Sequence, residues 1–203
     1  AARDIPQIEQ FRGSEKLFLA GSSWRPDEEI IAQYINRFPL RMKWVFAPHE
    51  FDKLNIERLE KLFKCKVVRF SEYTEASADS RVLIIDNIGM LSSAYRYAYL
   101  AEIGGGFGKG IHNILEPACW GIPVMVGPKY KKFREAIDLI NENGAMTFDS
   151  FGKFSDILDE WLTDELFYLK SAKTAVDYIN KNTGATSKIL HEITQKDINR
   201  LRS

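Results

Sequence analysis

Apolar runs of four or five residues alternate with amphipathic stretches along most of the chain. Leu17-Phe18-Leu19-Ala20 predicts a buried strand that ends at Gly21-Ser22-Ser23. Pro26 to Phe38 predicts a helix. The proline suits a first turn, Asp27, Glu28 and Glu29 favour its positive end, and Ile30, Ile31, Tyr34, Ile35 and Phe38 share one face. Trp44-Val45-Phe46-Ala47 predicts a second strand, stopped by Pro48; Leu54 to Phe63 a second helix; Lys66 to Arg69 and Val82 to Ile85 two more strands. Leu91 to Tyr99 reads as a short helix and Leu100 to Ile103 as a strand running into glycine. Leu115 to Trp120 is helical, Pro123 to Val126 a strand halted at Gly127-Pro128, Phe133 to Asn143 a helix and Ala145 to Phe148 a brief strand. From Phe154 onward the pattern is helix-rich. Short strands without polar alternation, separated by helices, indicate a parallel sheet covered on both faces. The expectation is one α/β domain over residues 12–203 with a helical tail, preceded by a linker segment at 1–11. Trp44, Trp120 and Trp161 lie on apolar stretches and are expected in the core.

The 203 residues carry 28 Lys+Arg against 28 Asp+Glu, so there is no basic footprint for a sequence-independent nucleic-acid binder. No stretch approaches the ~20 apolar residues of a spanning helix. Two cysteines, Cys65 and Cys119, make no disulfide framework for a chain of this size and point to a reducing compartment. The opening Ala1-Ala2-Arg3, without Met or a signal-peptide pattern, reads as a piece of something longer.

In an open parallel sheet, ligands bind beyond the carboxyl ends of the strands. The informative turns are therefore Gly21-Ser22-Ser23-Trp24, Pro48-His49-Glu50, Asp86-Asn87-Ile88-Gly89-Met90, the run from Gly104 to Gly110, and Gly127-Pro128. The run holds Gly104, Gly105, Gly106, Phe107, Gly108, Lys109 and Gly110; such a loop lets backbone amides approach a ligand, or is simply a flexible turn. It leads into Ile111-His112-Asn113-Ile114-Leu115-Glu116-Pro117, a helix entry, and loop and helix start together suit a phosphate. Gly-Lys-Ser/Thr does not follow, and the spacing of a dinucleotide fingerprint is missing. Glu116 is either a capping acid or a carboxylate accepting ribose hydroxyls. His49, His112 and Asn113 are candidate polar contacts, without the spacing of a metal site. Lys129-Tyr130-Lys131-Lys132-Phe133-Arg134 is a solvated rim, or attracts an anionic donor or an acidic membrane surface.

Taken in order, Gly21 to Glu28, Asp86 to Leu91, Gly104 to Phe107, His112 to Pro117 and Gly121 to Pro128 resemble the 3-deoxy-D-manno-octulosonic acid (Kdo) transferases. The likeness runs from about Leu17 to Asn199, with Asn182-Thr183-Gly184-Ala185 as a tail pattern, and Gly108-Lys109-Gly110-Ile111-His112-Asn113 suggests a Bacteroidetes-like branch. The resemblance implies a Rossmann-like parallel sheet with helices on both faces, the C-terminal donor-binding half of a GT-B glycosyltransferase. It implies transfer of Kdo from CMP-Kdo to a lipid A precursor in lipopolysaccharide biosynthesis, without a metal or cofactor, at the cytoplasmic face of the bacterial inner membrane. Cytidine would lie against Ile88-Gly89-Met90, ribose on Glu116, and phosphate near Ser22, Ser23, the glycine loop (Gly105 to Gly110) and Asn113, with His49 and His112 beside it. The family's catalytic carboxylate belongs to the N-terminal, acceptor-binding half, so these residues are expected to bind CMP and not to transfer sugar.

Three departures stand out. The family's Pro-Arg-His is Pro48-His49 here, with Lys109 or Lys131 as possible substitutes for the arginine; its Ile-Gly-Glu is Ile88-Gly89-Met90; and the glycine loop is one residue shorter. Two alternatives remain open: half of a GT-B-like UDP-sugar enzyme, and a non-catalytic α/β interaction domain.

Overall fold

A computed structural model describes residues 3–183 of the protein. The strands are β1 (Leu17–Ser23), β2 (Lys43–Pro48), β3 (Val67–Arg69), β4 (Val82–Ile84), β5 (Leu100–Ile103), β6 (Val124–Val126) and β7 (Ala145–Thr147). The helices are α1 (Pro6–Arg12), α2 (Arg25–Arg37), α3 (Lys53–Glu60), α4 (Leu91–Ala94), α5 (Leu115–Ala118), α6 (Arg134–Asn141), α7 (Phe151–Thr163) and α8 (Glu165–Asn182). All strand pairings are parallel, in the order β3-β4-β2-β1-β5-β6-β7.

Both faces of the sheet are apolar, which explains the unbroken strand runs. Leu17, Leu19, Val45, Leu83, Ala101, Val124 and Val126 point to one face, packed with residues of α1, α5 and α6. Phe18, Ala20, Trp44, Phe46, Val82, Ile84 and Met125 point to the other, covered by α2, α3 and α7. Each large apolar side chain so buried stabilises by roughly 1.5–3 kcal/mol. Trp161 closes the second layer, and its indole N–H donates to Ser171 Oγ at 3.1 Å, tying α7 to α8.

Several expectations change. The linker at 1–11 is, from Pro6, a helix with Ile8 and Phe11 fully buried, and the Ile5 amide donates to Tyr97 Oη at 2.8 Å. Seven residues, about two turns, leave too short a period to separate a docked helix from a surface segment. Trp120 is 43 % exposed rather than core, because α5 ends at Ala118 and its indole N–H reaches only the Ser92 carbonyl at 3.4 Å. The helix expected to Tyr99 stops at Ala94 and tightens into a 3₁₀ turn, Tyr95–Tyr97; Ala98 is already extended so that the chain can enter β5. Strand β1 runs three residues further than its apolar core, through Ser23. The tail residues Gly184 and Ala185, and everything to Asn199, lie outside the described residues.

Strand order reverses direction at β1 and β5. The chain moves outward from β1 to β2, crosses to β3 at the edge, comes back to place β4 between β3 and β2, and then lays β5 on the other side of β1. In open α/β sheets, ligands bind at the carboxyl ends of the strands at such a switch point.

Candidate functional site

The exit from β1 is forced into an unusual shape. Ser22 has φ 51°, and the register with β2 shifts between Gly21 and Ser23. A Cβ on Gly21 would fall 1.9 Å from Tyr95 Oη, and one on Gly104 would fall 2.2 Å from the Ser22 carbonyl oxygen. Left-handed backbone at a non-glycine residue is held only where the surroundings determine it, and such positions cluster at ligand sites. Ser23 is buried: its hydroxyl donates to Glu28 Oε1 at 3.0 Å, and both residues line a cavity of about 340 Å³ with Trp24 and Arg58. Glu28 also receives Arg58, so the first turn of α2 is anchored to α3.

The glycine loop serves the chain's own packing as well as any ligand. Gly105 (φ 93°) and Gly110 (φ 141°) occupy backbone angles that favour glycine. A Cβ on Gly106 would lie 2.6 Å from Gly127 Cα, so this loop and the one after β6 are in backbone contact, sealed by the Lys129 amide donating to the Gly106 carbonyl at 2.8 Å. Phe107 packs its ring 5.5 Å from Phe148 and acts as a core anchor. Gly108 alone in the run has room: a Cβ there would meet nothing nearer than the Gly105 carbonyl oxygen at 3.5 Å.

Three buried acids lie beneath the loop, none singled out from the sequence as a functional group. Asp27 Oδ2 accepts from the Trp24 amide at 2.9 Å and from the Gly105 amide at 3.1 Å, clamping the β1 and β5 loops together. Burial raises its pKa to about 6 against the lowering pull of those two amides. Glu102, paired across the sheet with Ala20 and Met125, is fully buried, and neither carboxylate oxygen has a hydrogen-bond partner among the described residues. Burial, then the charges of Asp27 and Glu28, push its pKa well up, which favours the neutral acid. An acid inside an apolar strand run carries no periodic signal, which is why only the structure reveals this layer.

His49 and His112 meet. Trp24 stacks on His49 with ring centroids 4.3 Å apart, His49 lies 4.6 Å from His112, and the Trp24 indole N–H donates to His112 Nε2 at 3.3 Å. Burial, then the neighbouring His49, lower the pKa of His112, so the imidazole is neutral. With Nε2 accepting from the indole, its proton sits on Nδ1, a donor ready for an anion. In the sequence Trp24 is only one member of a motif; its role as the third ring has no signature there. Among the described residues no group of three or more His, Cys, Asp or Glu is arranged to hold a metal ion.

At the head of α5, Asn113 Oδ1 accepts from the Leu115 amide at 3.1 Å while its Nδ2 donates to Glu116 Oε1 at 3.3 Å. Glu116 is half-buried; burial, then the charges of Glu116 and Glu102, push the pKa of the Tyr95 hydroxyl up. Gly89 (φ 87°) and Met90 line a cavity of about 280 Å³ with Ile5, Phe70 and Ser93, whereas Ile88 is exposed. Of the predicted residues, His49 and His112 meet beside Gly105, and Asn113 pairs with Glu116. Lys109 stands apart with Gly108 in a separate cleft.

Comparison with known proteins bears on this arrangement. No family model matches the chain. It is 30% identical over 135 residues to the 3-deoxy-D-manno-octulosonic acid transferase of Aquifex aeolicus, covering 64% of this chain and 37% of that protein. It is 33% identical over 124 residues to the enzyme of the same name from Chlamydia muridarum, covering 57% and 27%. The chain is a relative of the Kdo transferases. It spans about a third of the length of these two Kdo transferases. In shape it is similar to the C-terminal CMP-Kdo binding domain of WaaA from Acinetobacter baumannii, with TM-score 0.67, 23% identity, and 83% and 94% of the two chains covered. It is also similar to Anabaena HepE, solved with UDP-glucose, with TM-score 0.64, 12% identity, and 95% and 54% covered. These likenesses establish the GT-B domain fold.

Proposed function

We propose that this chain is the donor-binding half of a Kdo transferase, holding CMP-Kdo for transfer to a lipid A precursor in lipopolysaccharide biosynthesis at the cytoplasmic face of the inner membrane. Cytidine sits at Gly89-Met90, ribose on Glu116, and the phosphate between Ser22, the glycine loop, Asn113 and the Nδ1 proton of His112. The observation that carries the reading is the Asn113–Glu116 pair at the head of α5. A carboxylate paired in this way with a neighbouring amide at the head of a helix suits the hydroxyls of a ribose, and this supports the reading. The likeness to the CMP-Kdo binding domain of WaaA supports CMP as the nucleotide. No helix among the described residues is long and apolar enough to cross a membrane.

The family's catalytic carboxylate lies in the facing half, so these residues bind the donor and stabilise its leaving phosphate without transferring sugar. Calorimetric titration with CMP, UDP and AMP tests the reading: CMP is expected to bind tightest. Glu116→Ala should weaken CMP by about ten- to a hundredfold, matching a charged hydrogen bond of ~1.5–3 kcal/mol, with the melting temperature nearly unchanged. UDP binding in place of CMP would favour a UDP-sugar enzyme half. No nucleotide binding, together with a collapse in the stability of the variant, would make Glu116 a cap and the domain an adaptor.

A further inference from the structure

We infer that the cleft between the loops that follow β5 and β6 is a second anion site, which takes a phosphate-bearing headgroup. It goes beyond the donor reading and does not depend on it. The cleft, of about 660 Å³, is lined by Gly108, Lys109, Pro128, Lys129, Lys131 and Lys132. That volume falls in the range of small-molecule sites, roughly 300–1,000 Å³. Four of its six lining residues are cations and none is an acid.

This concentration is unlike the rest of the surface. The chain as a whole is neutral; Lys53, Lys66 and Lys173 pair with Glu57, Asp79 and Asp177, while other lysines without an ion pair, such as Lys64, Lys153 and Lys170, are scattered along the chain rather than gathered at one cleft. Among the described residues none of the four cleft lysines forms an ion pair. Their backbone is fixed as well. Gly106 abuts Gly127, the Lys129 amide bonds the Gly106 carbonyl, and a Cβ on Gly110 would fall 2.8 Å from the Phe133 ring. Two loops locked together at the carboxyl ends of adjacent strands thus gather four lysines without ion pairs around one cleft. Lysine ammoniums are compact point charges that bind phosphate without a preferred fork geometry, and several of them suit a ligand carrying more than one negative charge. A phosphorylated soluble sugar and an anionic lipid headgroup present the same chemistry.

The test combines Lys129→Gln, Lys131→Gln and Lys132→Gln in one variant and leaves Lys109 in place. All three side chains are exposed, so the melting temperature should match wild type. Inorganic pyrophosphate and vesicles of phosphatidylglycerol, with phosphatidylcholine vesicles as control, are titrated against both proteins at low and moderate salt. Wild type should bind at least one anionic probe, and the variant at least about tenfold more weakly with a flatter salt dependence. Binding of pyrophosphate identifies a soluble phosphorylated ligand, and binding of the anionic vesicles alone identifies a lipid headgroup; either outcome supports the site. Equal binding by the variant, or no binding of either probe by wild type, overturns it. Mutual exclusion of pyrophosphate and CMP also overturns it, because the cations would then belong to the nucleotide's own phosphate position. If pyrophosphate binds and CMP does not, the donor reading fails while this site stands.

Discussion

Asp27 joins two loops through one carboxylate oxygen, and the burial that makes this clamp effective also makes its charge expensive. Its pKa of about 6 in the folded protein compares with about 3.9 in an unfolded chain. Between those values the native state holds a proton that the unfolded state has released. The resulting stabilisation is complete below about pH 4 and is lost as pH rises through about 6. Asp27→Asn keeps an acceptor for both amides and removes the titration. Urea denaturation of the pair should therefore show a gap that opens between about pH 4 and 6, with the variant favoured above it by roughly 1–3 kcal/mol. At this scale the sequence was only partly legible. His49, His112 and Glu116 stood out because polar residues follow apolar strands. Glu102 did not, because one acid in a buried strand leaves no period, and the burial of Ser23 depends on Glu28, whose partnership with Arg58 is tertiary.

The glycine loop shows how an element can carry two meanings. Clustered glycine was readable as a close backbone approach, but not what does the approaching; at Gly104 and Gly106 it is the chain's own backbone. Alanine substitutions separate the uses. Gly106→Ala forces a Cβ to 2.6 Å from Gly127 and should destabilise by roughly 1–3 kcal/mol, read as a lower melting temperature. Gly108→Ala has open space and should leave stability within about 0.5–1 kcal/mol of wild type. A loss of CMP affinity in this second variant would show an amide reaching the ligand. The α7–α8 pair offers a further check. Trp161→Ala should cost about 3–5 kcal/mol through the cavity it leaves, whereas Trp161→Phe removes chiefly the bond to Ser171 and should cost less than half of that. The helix-rich tail was visible in its periodicity; which of its faces meets Trp161 was not.

For the molecule as a whole, strand runs without alternation were sufficient to indicate a parallel sheet with two covered faces, since such runs have no other stable setting in a chain this size. They did not give the strand order, because four-residue runs pair equally well with several neighbours, and they missed the contribution of α1, whose Ile8 and Phe11 complete the core from outside the expected boundary. That order has a kinetic corollary. Leu17–Ser23 and Leu100–Ile103 are partners in space but remote along the polypeptide, with three strands laid down between them. A nascent or half-assembled chain therefore has no mouth to offer, and pairing so distant in sequence is slow to mature. A nucleotide lodged there would act as a latch rather than a template: stopped-flow traces with saturating CMP should show slower escape from the native state while the refolding limb stays where it was.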